Sequence, residues 1–167
     1  AIVVNSNGPV VVRRSSGNGF TANENWTSNP FFGDKGTFFA DVTGDGLADA
    51  IAVNQNLRVT VRRNTGSGFA ANEEWTEAPY FGTQGTYIVD LDGDDKADLI
   101  KVDILTGKMM VRFSNGNRFL PEVKGVLKNL SADNGLFFAD LQGNHKASAI
   151  MVKNLNVQVR KFRLAFK

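Results

Sequence analysis

The sequence predicts an all-β fold assembled from near-identical modules laid side by side, and three observations support this. Residues 38–49, FFADVTGDGLAD, return 49 positions later as residues 87–98, YIVDLDGDDKAD, and after a further 50 positions as residues 137–148, FFADLQGNHKAS. Self-similarity at such a period is the signature of a repeat architecture. Short apolar runs are separated by clusters of Gly, Asn and Asp, the residues that make turns between strands. No segment carries an apolar period of 3.6 long enough for a helix.

Each module reads as four short strands. The first, residues 38–42, is aromatic and apolar and runs into the acidic turn. The second, residues 48–53, leaves that turn as a second apolar strand, interrupted by Asp49. The third, residues 58–63 (RVTVRR), alternates apolar with polar residues, as a half-buried strand does. A GSGF turn at 66–69 leads to the fourth, near Trp75. PYFG and QGT then lead into the next module. The chain enters this cycle part-way, because AIVVN at 1–5 matches AIAVN at 50–54.

These matches divide the chain into a single repeat domain over residues 1–167. It holds a partial repeat at 1–37, full repeats at 38–86 and 87–136, and a partial repeat at 137–167. A four-stranded unit of this size is the size of a propeller blade. One such sheet cannot bury both faces alone, so its neighbour must supply the missing wall. The expectation is a β-propeller of four-stranded blades, with a β-sandwich as the structural alternative. About 3.4 modules fall short of the roughly 4 to 8 blades of a ring. The ring is therefore expected to close by oligomerisation, or the chain to be part of a longer one. The third module is the least regular. EVKGV at 122–126 stands where the earlier modules carry Trp26 and Trp75, and the final KFRLAFK lacks the glycine turn and reads as a capping strand or a cut end.

Bulk composition narrows the function. Nineteen basic residues stand against 17 acidic ones, a formal charge of +2. That lacks the strong positive balance of a nucleic-acid binder. There is no cysteine, hence no disulfide framework or thiol chemistry. No apolar run reaches the 18 or so residues that a spanning helix needs, so no membrane insertion is expected. His145 is the only histidine and has no counterpart in the other modules, and the paired carboxylates are confined to the turns. With so thin an acid–base inventory, the chain is not expected to be an enzyme.

The turns themselves suggest a cation. Asp90, Asp92, Asp94 and Asp98 occupy positions 1, 3, 5 and 9 of a loop, with the Lys96 carbonyl at position 7. That spacing wraps a hard cation in oxygen, although the bidentate glutamate that completes a calcium loop is absent. Asp41, Thr43, Asp45 and Asp49, with the Leu47 carbonyl, form a weaker copy. Asp140, Gln142, Asn144 and Ser148 have lost most of the charge, and no calcium is expected there. The competing reading makes all three structural turns, in which Asp side chains accept backbone N–H bonds. No cofactor is required, and calcium is the candidate ion for turns 90–98 and 41–49.

The acidic turn and the AIAVN after it resemble the FG-GAP/VCBS repeat of integrin-type propellers. The wider order of turn, AIAVN, VTVRRN, GSGF, NEEWT, PYFG and QGT resembles the repeats of seven-bladed bacterial and fungal propeller lectins of the Psathyrella velutina lectin type. The resemblance covers nearly the whole chain. It implies pockets between adjacent blades for monosaccharides such as fucose or N-acetylglucosamine, and it places Trp26 and Trp75 near them. The third module departs at this place.

The residues alone point the same way. A carbohydrate pocket combines an aromatic face with fixed polar groups. Trp26, flanked by Asn25 and Thr27, and Trp75, flanked by Glu74 and Thr76, recur at equal phase, with Tyr80 close behind. Each tryptophan reads equally as a core anchor, since Trp is usually well buried. Arg13, Arg14, Arg62, Arg63, Arg112 and Arg160 recur on the third strand. Adjacent strand residues face opposite ways, so one of each Arg pair faces solvent and the other an acidic turn or a ligand hydroxyl. The expected function is non-catalytic carbohydrate binding at several equivalent sites, by a homo-oligomer that is secreted or held at the cell surface. The alternative is a structural or adhesion module, with calcium as its candidate staple, that binds protein partners.

Overall fold

The computed structural model describes residues 1–127, 129–130 and 132–162. They form fourteen strands in four antiparallel sheets, each a meander in which consecutive strands are neighbours, and no helix occurs among them. The first sheet contains β1 (Ile2–Val3), β2 (Val11–Val12) and β3 (Glu24–Asn25). The second contains β4 (Gly36–Ala40), β5 (Asp49–Val53), β6 (Thr60–Arg62) and β7 (Glu73–Glu74). The third contains β8 (Gly85–Val89), β9 (Asp98–Val102), β10 (Met109–Arg112) and β11 (Val123–Leu127). The fourth contains β12 (Gly135–Ala139), β13 (Ser148–Lys153) and β14 (Asn156–Arg160). The opening strands β4, β8 and β12 lie side by side, so the sheets fan outward from a common inner line as blades do. This is a propeller-like all-β arrangement, and its sheets do not close into a ring.

The second sheet shows a thin face backwards, and its forward face is thick. On β5, Ala50 and Ala52 pack with Val10, Val12 and Phe31 of the preceding module. The alternate residues Ile51 and Val53 pack with Val59, Val61 and Trp75 of their own module and Leu99 and Phe119 of the next. A strand's period of two assigns the residues in this way. The pattern recurs one step on, where Ile100 and Val102 of β9 join Leu136, Ala149 and Met151 of the fourth sheet. All five residues of β5, Asp49 included, are buried.

Two further contacts tie each module to the one before. The GSGF-type turn projects its phenylalanine backwards. The Phe69 amide donates to the Trp26 carbonyl at 2.9 Å, and the Phe119 amide to that of Trp75 at 3.1 Å. The ring pairs meet edge to face, at centroid separations of 5.2 and 5.3 Å. Successive acidic turns are also joined, because the Ala97 amide donates to the Asp41 carbonyl at 2.7 Å and that of Ala147 to Asp90 at 2.9 Å.

The strands differ from their expected bounds in small ways. The first begins at Gly36 and Gly85, two residues early, because pairing with the second strand continues there. The third module keeps its fourth strand, β11, despite lacking the tryptophan, and its pairing with β10 shifts register between Met109 and Met110. The capping strand expected in KFRLAFK lies mostly outside the described residues.

Candidate functional site

Between the first and second sheets lies a cavity of about 590 Å³. Residues 26–29 (Trp26, Thr27, Ser28 and Asn29) form one wall, and Arg62 with the segment 69–72 forms the other. Trp26 is half-buried. Its indole N–H donates to Glu24 Oε2 at 3.1 Å, the Arg14 guanidinium lies 5.6 Å from its ring centroid, and Phe69 meets it edge-on. The indole hydrogen bond, followed by the charge and hydrogen bond of Arg14, holds the Glu24 carboxyl below the usual range. The ring is thus fixed from several sides.

The equivalent space between the second and third sheets is smaller, about 230 Å³, and bordered by Arg58, Glu74, Trp75, Thr76, Glu77 and Arg118. Trp75 is only 1% exposed. Glu77 pairs with Arg112 at 2.9 Å, and Arg112 also reaches the Leu120 carbonyl. At the corresponding positions the larger cavity has Ser28 in place of Glu77 and Arg62 in place of Arg112. The two inter-module spaces are therefore unequal, in contrast to the equivalent sites expected from the repeat.

The remaining binding candidates separate by role. Thr27 and Thr76 are buried, and their hydroxyls accept the amides of Val10 and Val59 at 2.9 Å, which ties the fourth strand of each module to its third. Asn25 lies exposed on β3, outside the cavity wall. Glu74 is exposed and paired with Arg58 at 2.5 Å. Tyr80 is 3% exposed and sits beneath Lys101 and Arg112, 4.2 and 5.0 Å from its ring centroid. Burial, reinforced by the charge of Glu122, pushes its phenol far above the ordinary value. Motif reading gave no individual weight to Ser28, Asn29, Phe69 and Asn72. The mismatch of Ser28 with Glu77 was the available signal for the first of them.

In the acidic turns, the first aspartate acts as a backbone organiser. Asp41 accepts amides from Thr43, Gly44, Asp45 and Gly46, and Asp90 accepts those of Gly93 and Asp95. Gly44 and Gly93 both adopt φ of 81°, a left-handed path that a side chain would strain. The last aspartate is buried and bridges two strands. Asp49 accepts from Val42 and Asn64, and Asp98 from Leu91 and Ser114. Burial pushes the Asp98 carboxyl up to about 8 and raises that of Asp49.

Asp90, Asp92 and Asp98 bring carboxylate oxygens within 4.8 Å of one another, close enough to share one cation. Asp92 Oδ1 is buried with no hydrogen-bond partner, which leaves an oxygen for such an ion. Burial raises the Asp92 carboxyl, and the charges of Asp94 and Asp90 raise it further. Asp94 instead pairs with Lys96 Nζ at 2.7 Å and accepts the Lys96 amide. In the first copy Asp45 accepts the Leu47 amide, and Asp41, Asp45 and Asp49 do not converge as the second set does. In the third copy Asp140 accepts the amides of Gln142, Gly143 and His145.

Residues 41–100 match the family profile of the FG-GAP-like repeat. The matched stretch begins at the first acidic turn, ends just past the second and includes the whole module between them. A solved Agrocybe aegerita lectin, described as recognising non-reducing terminal N-acetylglucosamine, is similar over 95% of this chain and 46% of its own, with TM-score 0.61 and 22% identity. The Photorhabdus luminescens Tc holotoxin pore is similar over 98% of this chain and 8% of its own, with TM-score 0.67 and 23% identity. A TcdB2–TccC3 structure without its hypervariable C-terminal region gives TM-score 0.62 and 24% identity over 96% of this chain and 8% of that one. The chain thus spans about half of the lectin and a small part of each of the other two chains, and these likenesses are likenesses of fold. Among curated protein sequences, none matches it.

Proposed function

We propose that the chain is a non-catalytic carbohydrate-binding module, a lectin-type propeller segment that takes a monosaccharide such as N-acetylglucosamine or fucose between its first two sheets. The observation that carries this reading is the half-buried, fixed face of Trp26 at the wall of a 590 Å³ cavity edged by hydroxyl, amide and guanidinium groups. Aromatic faces pack against sugar C–H groups while polar groups orient the hydroxyls. The solved lectin of similar fold supports it. Trp75 serves the core in this reading, and the site is single rather than repeated.

Such a role belongs where glycans are displayed, outside the cell or on its surface. Further modules, from a second copy or from more of the same chain, would complete a ring. The cation site at Asp90, Asp92 and Asp98 is read as a calcium staple on the fold. The test is saturation-transfer NMR with N-acetylglucosamine and fucose on the wild type and on Asn29→Ala, Asn72→Ala and Trp26→Ala, with circular dichroism to follow the fold. Loss of signal in the folded variants supports the reading. A folded wild type that gives no signal on a glycan array favours the second reading, a scaffold module binding protein partners, for which the similar segments inside large toxin chains speak.

A further inference from the structure

Arg62 and Arg112 occupy the same position in consecutive modules, yet their surroundings differ in a way that bears on what the larger cavity accepts. Arg112 is neutralised by Glu77 at 2.9 Å. Arg62 donates from Nε to Asn72 Oδ1 at 2.5 Å and lies 4.8 Å over the Phe31 ring, and no described carboxylate pairs with it. These contacts leave both terminal amino groups of its fork unclaimed. Two positions differ between the modules, since Ser28 stands where the next module has Glu77 and Asn72 where it has Glu122, and Glu77 is the one that pairs with the arginine. The wall of the larger cavity holds one cation and no anion, whereas the smaller space has Glu74 and Glu77 alongside Arg58 and Arg118.

An arginine keeps its charge when half-buried, and its planar fork matches a carboxylate or sulfate with two parallel hydrogen bonds. Desolvation already works against the charged form of Arg62. An anion arriving there meets a cation that has lost part of its water and gained no ionic partner. The Asn72 and Phe31 contacts hold the guanidinium in place beforehand, which lowers the ordering cost of binding.

We propose that the cavity between the first and second sheets selects an acidic saccharide, whose anionic group seats on the Arg62 fork while its ring lies against Trp26. This rests on the carbohydrate-binding reading and names the substrate class for it. Ser28 is then the specificity-determining residue, because a carboxylate there would take the fork for itself as Glu77 does one module on.

The experiment compares the binding of methyl glucuronide, glucose 6-sulfate, methyl glucoside and N-acetylglucosamine to the full chain by titration calorimetry and saturation-transfer NMR. An anionic sugar is expected to bind about tenfold or more tightly than methyl glucoside, the scale of a charge-assisted bidentate contact. The better of the two acids identifies the anion. Arg62→Gln and Ser28→Glu should each abolish that preference, and in the wild type the preference should shrink with added salt. Ser28 is exposed, so Ser28→Glu tests the idea without disturbing the core. Equal binding of acidic and neutral sugars overturns the selectivity and leaves the carbohydrate reading intact. An acid preference that survives Ser28→Glu overturns the assignment to this cavity. Absence of binding by every sugar overturns the carbohydrate reading itself.

Discussion

Substituting the phenylalanine of each GxGF-type turn by alanine tests the interlocking of modules directly. Phe119 is 0% exposed, meets Trp75 edge to face at 5.3 Å and belongs to the core between the second and third sheets. Its removal should cost about 3–5 kcal/mol, the range for emptying a buried aromatic site. Phe69 is half-buried, against Trp26 and Phe39, and its loss should cost roughly half as much. Phe20 holds the same place in the sequence but is 56% exposed, and its change should fall within about 0.5 kcal/mol. Urea unfolding followed by tryptophan fluorescence and circular dichroism gives all three values from midpoints at constant slope. A double-mutant cycle on Trp75→Leu and Phe119→Leu should add a coupling of about 0.5–1.5 kcal/mol. Equal losses at positions 20, 69 and 119 would refute the reasoning, because they would show the phenylalanines acting within their own turns and not between modules.

Three other outcomes are expected. Gly82→Ala should destabilise by about 1–3 kcal/mol, measured by thermal melting, because a Cβ there would run into the carbonyls of Gly85 and Val102; an unchanged melting temperature would contradict the close approach. The ring of His145 hydrogen-bonds Asp95 at 2.6 Å, and that contact raises its pKa above 6.5. The folded form therefore holds its proton more tightly than the unfolded one, so the stabilisation is complete below the unfolded pKa and fades as pH rises through the folded one. As the only histidine, it can be titrated by NMR without assignment, and Asp95→Asn should bring the midpoint down. Millimolar calcium above pH 8, where Asp98 is ionised, should raise the melting temperature, and Asp92→Asn should remove the rise; no rise in the wild type would leave the turn a purely backbone device.

The fold was legible because its information is periodic and local. The 49-residue step, the apolar segments such as residues 50–53 and the turn residues between strands each carry their own signal, and the sheets follow them. What the motif could not separate was Trp26 from Trp75, which recur at equal phase before a threonine and whose burial depends on what packs across from them. That information lies in other modules, in Phe119 and in the Glu77–Arg112 pair. The acidic turn carried a similar ambiguity. The ligand spacing and the backbone-bonding role both call for Asp at the same positions, and only coordinates show Asp41 satisfied by amides and Asp92 left with a bare oxygen. The backward reach of Phe69 and Phe119 was hidden for the same reason, since GSGF specifies a tight turn but not the surface its aromatic ring will meet.

The alternation on β5 gives its sheet a direction. A surface of Ala50 and Ala52 complements bulk, and a surface of Ile51 and Val53 supplies it. Two alanine surfaces brought together would enclose a void, and two branched surfaces would overfill the gap. Copies of this sheet therefore associate front to back and never as a mirror-like pair. Any growth through these surfaces is a one-way progression whose only natural ending is to meet its own beginning.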